Sequence, residues 1–110
     1  MNYQHQQLAS GRWAAMPFFE QMSNIGSEVE RTIKWKAKGN KEYSRMAFER
    51  SLELLELTIA DSKNMKRLRE LTRLKEILID HFEFDNDYNS TDKNWSNYFY
   101  SFNYASQLGR

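Results

Sequence analysis

Apolar residues recur at helical spacing along this chain, and that periodicity limits the possible folds more than any other feature. Downstream of Pro17 they follow one another at steps of four, three, four and four, which trace one face of an α-helix: Phe18, Met22, Ile25, Val29 and Ile33. Proline suits the first turn of a helix, and Gly39 suits its end. We predict a continuous helix from about Pro17 to Lys38, with a break near the capping-box residue Ser27 as the alternative.

Three more amphipathic segments follow, and polar segments separate them. We predict a second helix over about residues 41–60 and a third over about residues 65–82. The polar turn of residues 61–64 is short, which makes these two helices antiparallel neighbours. A fourth helix is expected to begin near Thr91, with Ser90 or Thr91 as its N-cap.

Composition and periodicity together predict an all-α fold. One proline and four glycines leave few positions for turns, and good helix formers fill the middle of the chain. A length of 110 residues suits one domain with one core. We therefore expect residues 1–110 to form an antiparallel up-down-up-down four-helix bundle. Residues 1–15 begin with a glutamine-rich stretch without periodicity and are expected to form a loose, flexible arm.

The chain lacks the residues and motifs that many enzyme and metal chemistries require. It contains no cysteine, which excludes disulfide bonds, thiolate ligands and cysteine nucleophiles. It also lacks a glycine-rich phosphate loop, a nucleophile elbow and the Glu-x-x-His pairs of di-metal bundles. We expect no catalytic residues, no cofactor and no metal. Without a signal peptide or a long apolar stretch, the expected location is cytoplasmic, away from the membrane.

The polar segment 85–90 begins like a calcium-binding loop but does not continue as one. Acidic and amide side chains occupy its first, third and fifth positions. Ser90 then stands where such a loop needs glycine, Lys93 puts a cation at the ninth position, and Ser96 replaces the glutamate at the twelfth. We interpret the segment as a turn, for which Asp and Asn are equally suited.

The most basic part of the chain contains a tryptophan and is a candidate contact surface for nucleic acid or for a partner protein. Its residues are Arg31, Lys34, Trp35, Lys38, Lys41 and Arg45. On a helical wheel the tryptophan falls beside two cations and away from the apolar face, where it could stack on a base. The alternative is local packing, with Arg31 stacked on Trp35 and the indole beside a neighbouring helix. The net charge of +1 is low for a phosphate-binding protein.

The second and fourth predicted helices carry more apolar surface than one core needs, which predicts a homo-oligomer. A dimer is the oligomeric state that we expect first. The expected interface residues are Phe48, Leu52, Leu55, Ile59, Tyr100 and Tyr104. The alternative is that the N-terminal arm covers this surface within one chain, through Leu8, Trp13 and Met16. Both accounts bury the apolar face of the second helix.

Two ionisable residues fall at unusual positions of the predicted helices. Arg50 lies on the apolar arc of the second helix, so we expect it to pair with Glu28, Glu30, Asp80 or a carboxylate of another subunit. His81 lies near the end of the third helix, where a protonated imidazole suits the helix dipole. We interpret His81 as structural rather than catalytic.

Five segments carry a resemblance to known proteins: GRW at 11–13, SNIGSEV at 23–29, WK at 35–36, ERSLEL at 49–54 and RELTRL at 69–74. Together they resemble a widespread family of small helical prokaryotic proteins of similar length, which implies no activity. More distantly, SNI at 23–25 and NKEY at 40–43 resemble the four-helix proteins encoded in 23S rRNA intervening sequences. Relatives of that group include oligomeric retroelement accessory proteins, so this resemblance implies nucleic-acid binding.

These observations favour a non-enzymatic helical bundle that acts by self-association and by docking a partner protein. The alternative is an RNA-binding accessory protein that uses the basic surface between Arg31 and Arg45. An enzyme is the third class, and it would need an active site that no residue pattern in the chain indicates. A fold of this kind is compatible with all three.

Overall fold

The chain folds into helices. A computed structural model describes the backbone of residues 6–108 and the side chains of residues 11–105, 107 and 108. In chain order the α-helices are α1 (Gln6–Ala15), α2 (Phe18–Ala37), α3 (Lys41–Ala60), α4 (Leu68–Glu83) and α5 (Asp92–Leu108), with a 3₁₀ helix at Ser62–Arg67. No β-strand occurs within residues 6–108. The predicted all-α class is confirmed, with five helices over this stretch where four were expected.

Helices α2 and α3 follow the sequence prediction closely, and α2 continues through Gly26 without a break. Gly39 has a φ of +79°, and its N–H donates to the carbonyl oxygen of Lys36 at 3.0 Å. Asn40 caps α3, because its side-chain oxygen accepts the N–H of Tyr43 at 3.0 Å. The turn therefore rests on a glycine that accepts a left-handed backbone and on an asparagine that caps the next helix.

Helix α2 packs against both α3 and α5, and α4 packs against α3. The buried residues of this core are Met22, Ile25, Val29, Phe48, Leu52, Leu55, Leu71, Leu74, Leu78, Trp95 and Phe99, joined by Trp13. Gly26 lies where α2 meets α5, and a Cβ at this position would stand 2.6 Å from Cβ of Phe99. The close approach of the two helices therefore requires glycine.

The N-terminal segment is the main departure from the sequence prediction. Over residues 6–15 the expected loose arm is wrong, because these residues form α1. Trp13 is only 5% exposed, and its Nε1 donates a 2.8 Å hydrogen bond to Oγ1 of Thr58 on α3. Met16 is partly buried against the core. The segment thus folds back on its own chain, as the alternative predicted, while residues 1–5 and the side chain of Leu8 lie outside the described residues.

Buried polar side chains join α1, α2, α3 and the 3₁₀ helix. Nε2 of Gln21 donates to the carbonyl oxygen of Trp13 at 2.8 Å and to Oδ2 of Asp61 at 2.9 Å. Nδ2 of Asn64 donates to Oε1 of Gln21 at 2.9 Å and to the carbonyl oxygen of Thr58 at 3.0 Å. Buried amides of this kind stabilise a structure only when they are hydrogen-bonded, and both of these are.

Capping residues mark the starts of the 3₁₀ helix and of α5. Asp61 accepts the N–H of Lys63 at 3.2 Å and starts the 3₁₀ helix, so α4 begins at Leu68, three residues later than predicted. Thr91 caps α5, because its Oγ1 accepts the N–H of Asn94 at 3.0 Å. None of the helices in residues 6–108 has the length and apolar character needed to cross a membrane.

Candidate functional site

The six residues predicted to contact nucleic acid or a partner do not form one continuous site. Arg31 and Trp35 line a small cavity beside Tyr43, whereas Lys41 and Arg45 line a larger cleft. Lys34 is exposed on α2. The division arises at the turn after α2, because the chain reverses there and carries the last two cations onto α3.

Trp35 lies half-buried against α3, and its ring meets that of Tyr43 edge to face with centroids 4.9 Å apart. Nζ of Lys38 lies 5.1 Å from the centroid of the indole. Arg31 instead donates to Oε1 of Glu28 at 2.9 Å. The indole therefore packs beside a neighbouring helix, as the packing alternative predicted, but the cation over it is Lys38 and the expected stack of Arg31 is wrong.

The larger cleft has a volume of about 430 Å³ and lies between α2, α3 and α4. We call it the basic cleft and define it by Lys36 of α2, by Lys41, Arg45 and Phe48 of α3, and by Phe82 and Glu83 of α4. Three cations thus face one carboxylate. The two phenylalanine rings form an apolar wall, with centroids 5.2 Å apart and planes inclined at 44°.

Sequence analysis did not place three of the six cleft residues in a candidate site. Lys36 lies between Trp35 and Lys38 along the chain but was not among the predicted contact residues. Phe82 and Glu83 lie at the end of α4, far from the basic run along the chain. Only the packing of α4 against α3 brings them there, and no local pattern carries that information.

The predicted interface residues of α3 are mostly inside the protein. Phe48, Leu52 and Leu55 belong to the core of one chain, so their assignment to an oligomer interface is wrong. Ile59 is partly buried and packs against the same core. The wide apolar arc of α3 is used within the chain, because this helix packs against α2, α4, the 3₁₀ helix and α1.

The two tyrosines of the predicted interface remain on the surface. Tyr100 is 67% exposed and Tyr104 is 55% exposed. Beside Tyr100 lies a groove of about 390 Å³ between α2 and α5, which we call the tyrosine groove. Its residues include Ser23, Gly26 and Ser27 on α2, and Asn97, Tyr100 and Asn103 on α5. Glu30 and Phe99 also line the groove, so small, polar, acidic and aromatic side chains all contribute to it.

The segment between α4 and α5 is organised by Asp80 and Asn86. The Asp80 carboxylate accepts the N–H groups of Asp87 at 3.0 Å and Tyr88 at 3.1 Å. Asn86, with φ of +56°, accepts the N–H of Ser90 at 2.9 Å through its side chain. Among the described residues no three acidic or histidine side chains come close enough together to hold a metal ion.

His81 and Arg50 occupy environments that differ from one another. Nε2 of His81 lies 2.8 Å from Oδ1 of Asp92, and this contact joins the end of α4 to the start of α5. Arg50 is exposed, and in the described part of the chain no ion pair joins it to Glu28, Glu30 or Asp80. The pairing expected within one chain is therefore wrong, because the guanidinium lies outside the core.

Comparison with known proteins gives no relative from which a role could be transferred. No family model matches the chain, and neither the curated proteins nor the solved structures contain a significant match to it. The surfaces described above are therefore interpreted from their own chemistry.

Proposed function

We propose that this chain is a non-enzymatic helical bundle that acts by self-association and by docking a partner protein. The oligomer that we expect first is a dimer. The observation that supports self-association is the exposed pair Tyr100 and Tyr104, which lie about one helical turn apart on α5. Tyrosine is enriched at interfaces because its ring gives a large contact area at a small cost in side-chain entropy.

The tyrosine groove supplies a surface that a second copy could enter. Its α2 wall includes Ser23 and Ser27, whose small side chains allow close approach, and Glu30. Its α5 wall presents Asn97, whose exposed side-chain amide can form hydrogen bonds across an interface. In a two-fold dimer the same groove serves both chains.

We propose in addition that helices α2–α5 form an antiparallel up-down-up-down bundle and that α1 closes one end. The packing of α2 on α3 and α5, and of α3 on α4, supports this order. The His81–Asp92 contact, which joins the end of α4 to the start of α5, also supports it. Such an arrangement leaves the outer faces of α2 and α5 available for association.

Light scattering on the purified protein, from micromolar to submillimolar concentration, tests the dimer. We expect the wild type to associate and the double variant Tyr100→Asp/Tyr104→Asp to remain monomeric, because two buried carboxylates would oppose the interface. Tyr88→Asp, which places one such charge on another exposed tyrosine, is the control and should behave like the wild type. A wild type that is monomeric throughout this range would overturn the proposal.

A second candidate function is nucleic-acid binding, and the exposure of the predicted cations favours it. Arg31, Lys34, Lys38, Lys41 and Arg45 are all exposed. The distant resemblance to proteins of rRNA intervening sequences agrees with this candidate. Phosphate-led binding should weaken by orders of magnitude between about 50 and 200 mM salt.

Binding of structured and single-stranded RNA across that salt range tests this candidate. The variant Lys34→Glu/Lys38→Glu should weaken binding and reduce the salt slope by about two units for two lost phosphate contacts. Lys66→Glu/Arg73→Glu, at exposed positions outside this surface, is the control. Failure of the wild type to bind either RNA at low salt would eliminate the candidate.

A further inference from the structure

We propose that the basic cleft binds a nucleotide, with its phosphate held by Lys36, Lys41 and Arg45 and its base against Phe82. The cleft is formed within one chain, so this proposal does not depend on self-association. A free nucleotide and one nucleotide unit of an RNA strand share this chemistry, and the experiment below distinguishes them.

The size of the basic cleft suits a ligand of this kind. Its volume of about 430 Å³ falls in the range of small-molecule sites, roughly 300–1,000 Å³. Residues from three helices line it, so its shape is set by the packing of the whole domain rather than by one flexible segment. Such sites combine an apolar wall with a few polar groups that fix the ligand.

The three cations are available to a ligand because the protein engages them only weakly. Nζ of Lys36 lies 5.8 Å from the centroid of Phe82, near the outer limit of a cation–π contact. Nε of Arg45 lies 3.6 Å from Oε1 of Glu49, and both side chains are exposed, so this pair is weak. Lys41 is exposed at the start of α3 and makes no ion pair among the described residues. A phosphate would bring all three together.

Thr32 and Ser44 also line the cleft, but their hydroxyl groups do not compete for this role. Oγ of Ser44 donates to the carbonyl oxygen of Thr32 at 2.9 Å, and Oγ1 of Thr32 donates to the carbonyl oxygen of Glu28 at 2.9 Å. Their protons are therefore already used, and recognition of an anion depends on the lysines and the arginine. This favours a charged ligand over a neutral one of the same size.

The aromatic wall selects a flat ligand and not an anion alone. Phe48 is buried and Phe82 is half-buried, and both line the cleft, so Phe82 is the more accessible of the two rings. Stacking of a base on an aromatic ring contributes about 1–3 kcal/mol in other proteins. Glu83, the one carboxylate of the cleft, can accept hydrogen bonds from sugar hydroxyls or from base amino groups.

Calorimetric titration of the full chain with AMP, GMP, CMP and UMP tests the proposal, with inorganic phosphate and adenosine as partial ligands. At least one nucleotide should bind about tenfold or more tightly than either partial ligand, because it alone engages the cations and the ring. Lys41→Glu should weaken nucleotide binding by about tenfold or more. Lys66→Glu, an equal change of charge outside the cleft, should leave it unchanged.

Phe82→Leu keeps an apolar side chain at the wall and should reduce the preference for a nucleotide over inorganic phosphate. Circular dichroism would establish that each variant is folded. A 5′-phosphorylated single-stranded RNA distinguishes the two ligands. If it binds more tightly than any mononucleotide and Lys41→Glu weakens this binding by the same factor, the cleft binds an RNA strand. If it binds no more tightly than a mononucleotide, the cleft binds the free nucleotide. Absence of nucleotide binding at millimolar concentration, or equal losses in Lys41→Glu and Lys66→Glu, would overturn the proposal.

Discussion

The indole Nε1 of Trp13 donates a 2.8 Å hydrogen bond to Oγ1 of Thr58, and this contact joins α1 to α3. Both residues are buried, and Oγ1 of Thr58 in turn donates to the carbonyl oxygen of Leu54 at 2.8 Å. The threonine hydroxyl is therefore both donor and acceptor, and each of its roles has a partner. Helix α1, whose sequence is only weakly amphipathic, is therefore held by one indole that is buried in the core and hydrogen-bonded to Thr58.

Replacement of Trp13 by phenylalanine should lower the free energy of unfolding by about 1–3 kcal/mol, because it removes a buried hydrogen bond and leaves Thr58 without its donor. Urea denaturation followed by circular dichroism measures the change. Trp35→Phe is the matched control, and its effect should be smaller because Trp35 is only half-buried. Equal losses in the two variants would contradict this account of α1.

Gly26→Ala should destabilise the protein by about 1–3 kcal/mol even though alanine favours helices, because the added methyl group would overlap Phe99. Gly11→Ala is the internal comparison. No atom lies within 4 Å of the Cβ position at Gly11, so this variant should gain up to about 1 kcal/mol. Thermal unfolding of the pair gives the sign of each effect, and stabilisation by Gly26→Ala would show that α2 and α5 do not approach closely.

Stability should fall in acid because of Asp61. Burial raises the pKa of its carboxyl, but hydrogen bonds from Lys63 and Gln21, together with the charge of Lys63, outweigh burial and hold the pKa below the usual 3.8. A carboxyl group whose pKa is lower in the folded state stabilises the fold at any pH above its unfolded-state pKa. This contribution to stability is lost as the pH falls through the folded-state pKa. Urea denaturation from about pH 6 down to pH 2 should show a loss below about pH 4 that is smaller in Asp61→Asn.

Tyr98 should ionise at a higher pH than a tyrosine in water. Burial, and then the negative charge of Glu70, raise the pKa of Tyr98 to about 12. Because the unfolded value is near 10, folding should lose stability as the pH rises through this interval. Phenolate absorbance followed up to about pH 12 should lack its last component in Tyr98→Phe. An unchanged titration curve in that variant would contradict the assignment.

The sequence was sufficient for the parts of the fold that local signals determine. Proline before α2, Gly39 after it and Asn40 before α3 have specific backbone roles, and the helix bounds followed them. Helix α1 was missed because its apolar residues do not follow a helical period and its order depends on partners far along the chain, such as Thr58. Long-range hydrogen bonds of this kind leave no pattern in the segment itself.

The candidate sites show the same limit. Residue type identified Lys41 and Arg45 as contact residues, but their position beside Phe82 depends on how α4 packs against α3. The interface prediction failed at Phe48, because a helical wheel gives the width of an apolar arc and not the number of neighbours that cover it. Exposed residues such as Tyr100 were predicted correctly in position, while their role stays a prediction.

Of the α1 side chains that the structure describes, only Trp13 is buried. Among the described side chains, the attachment of α1 therefore consists mainly of that indole and of hydrogen bonds from Gln21 and Lys63 to backbone carbonyl groups of the helix. A helix held in this way should unfold locally while the rest of the domain stays folded. Its amide protons should therefore exchange with solvent faster than those of α2 and α3. When α1 unfolds locally, the side-chain amide of Gln21 loses the carbonyl oxygen of Trp13 as an acceptor. Local unfolding of α1 should therefore also weaken the contact of Gln21 with Asn64, which joins α2 to the 3₁₀ helix.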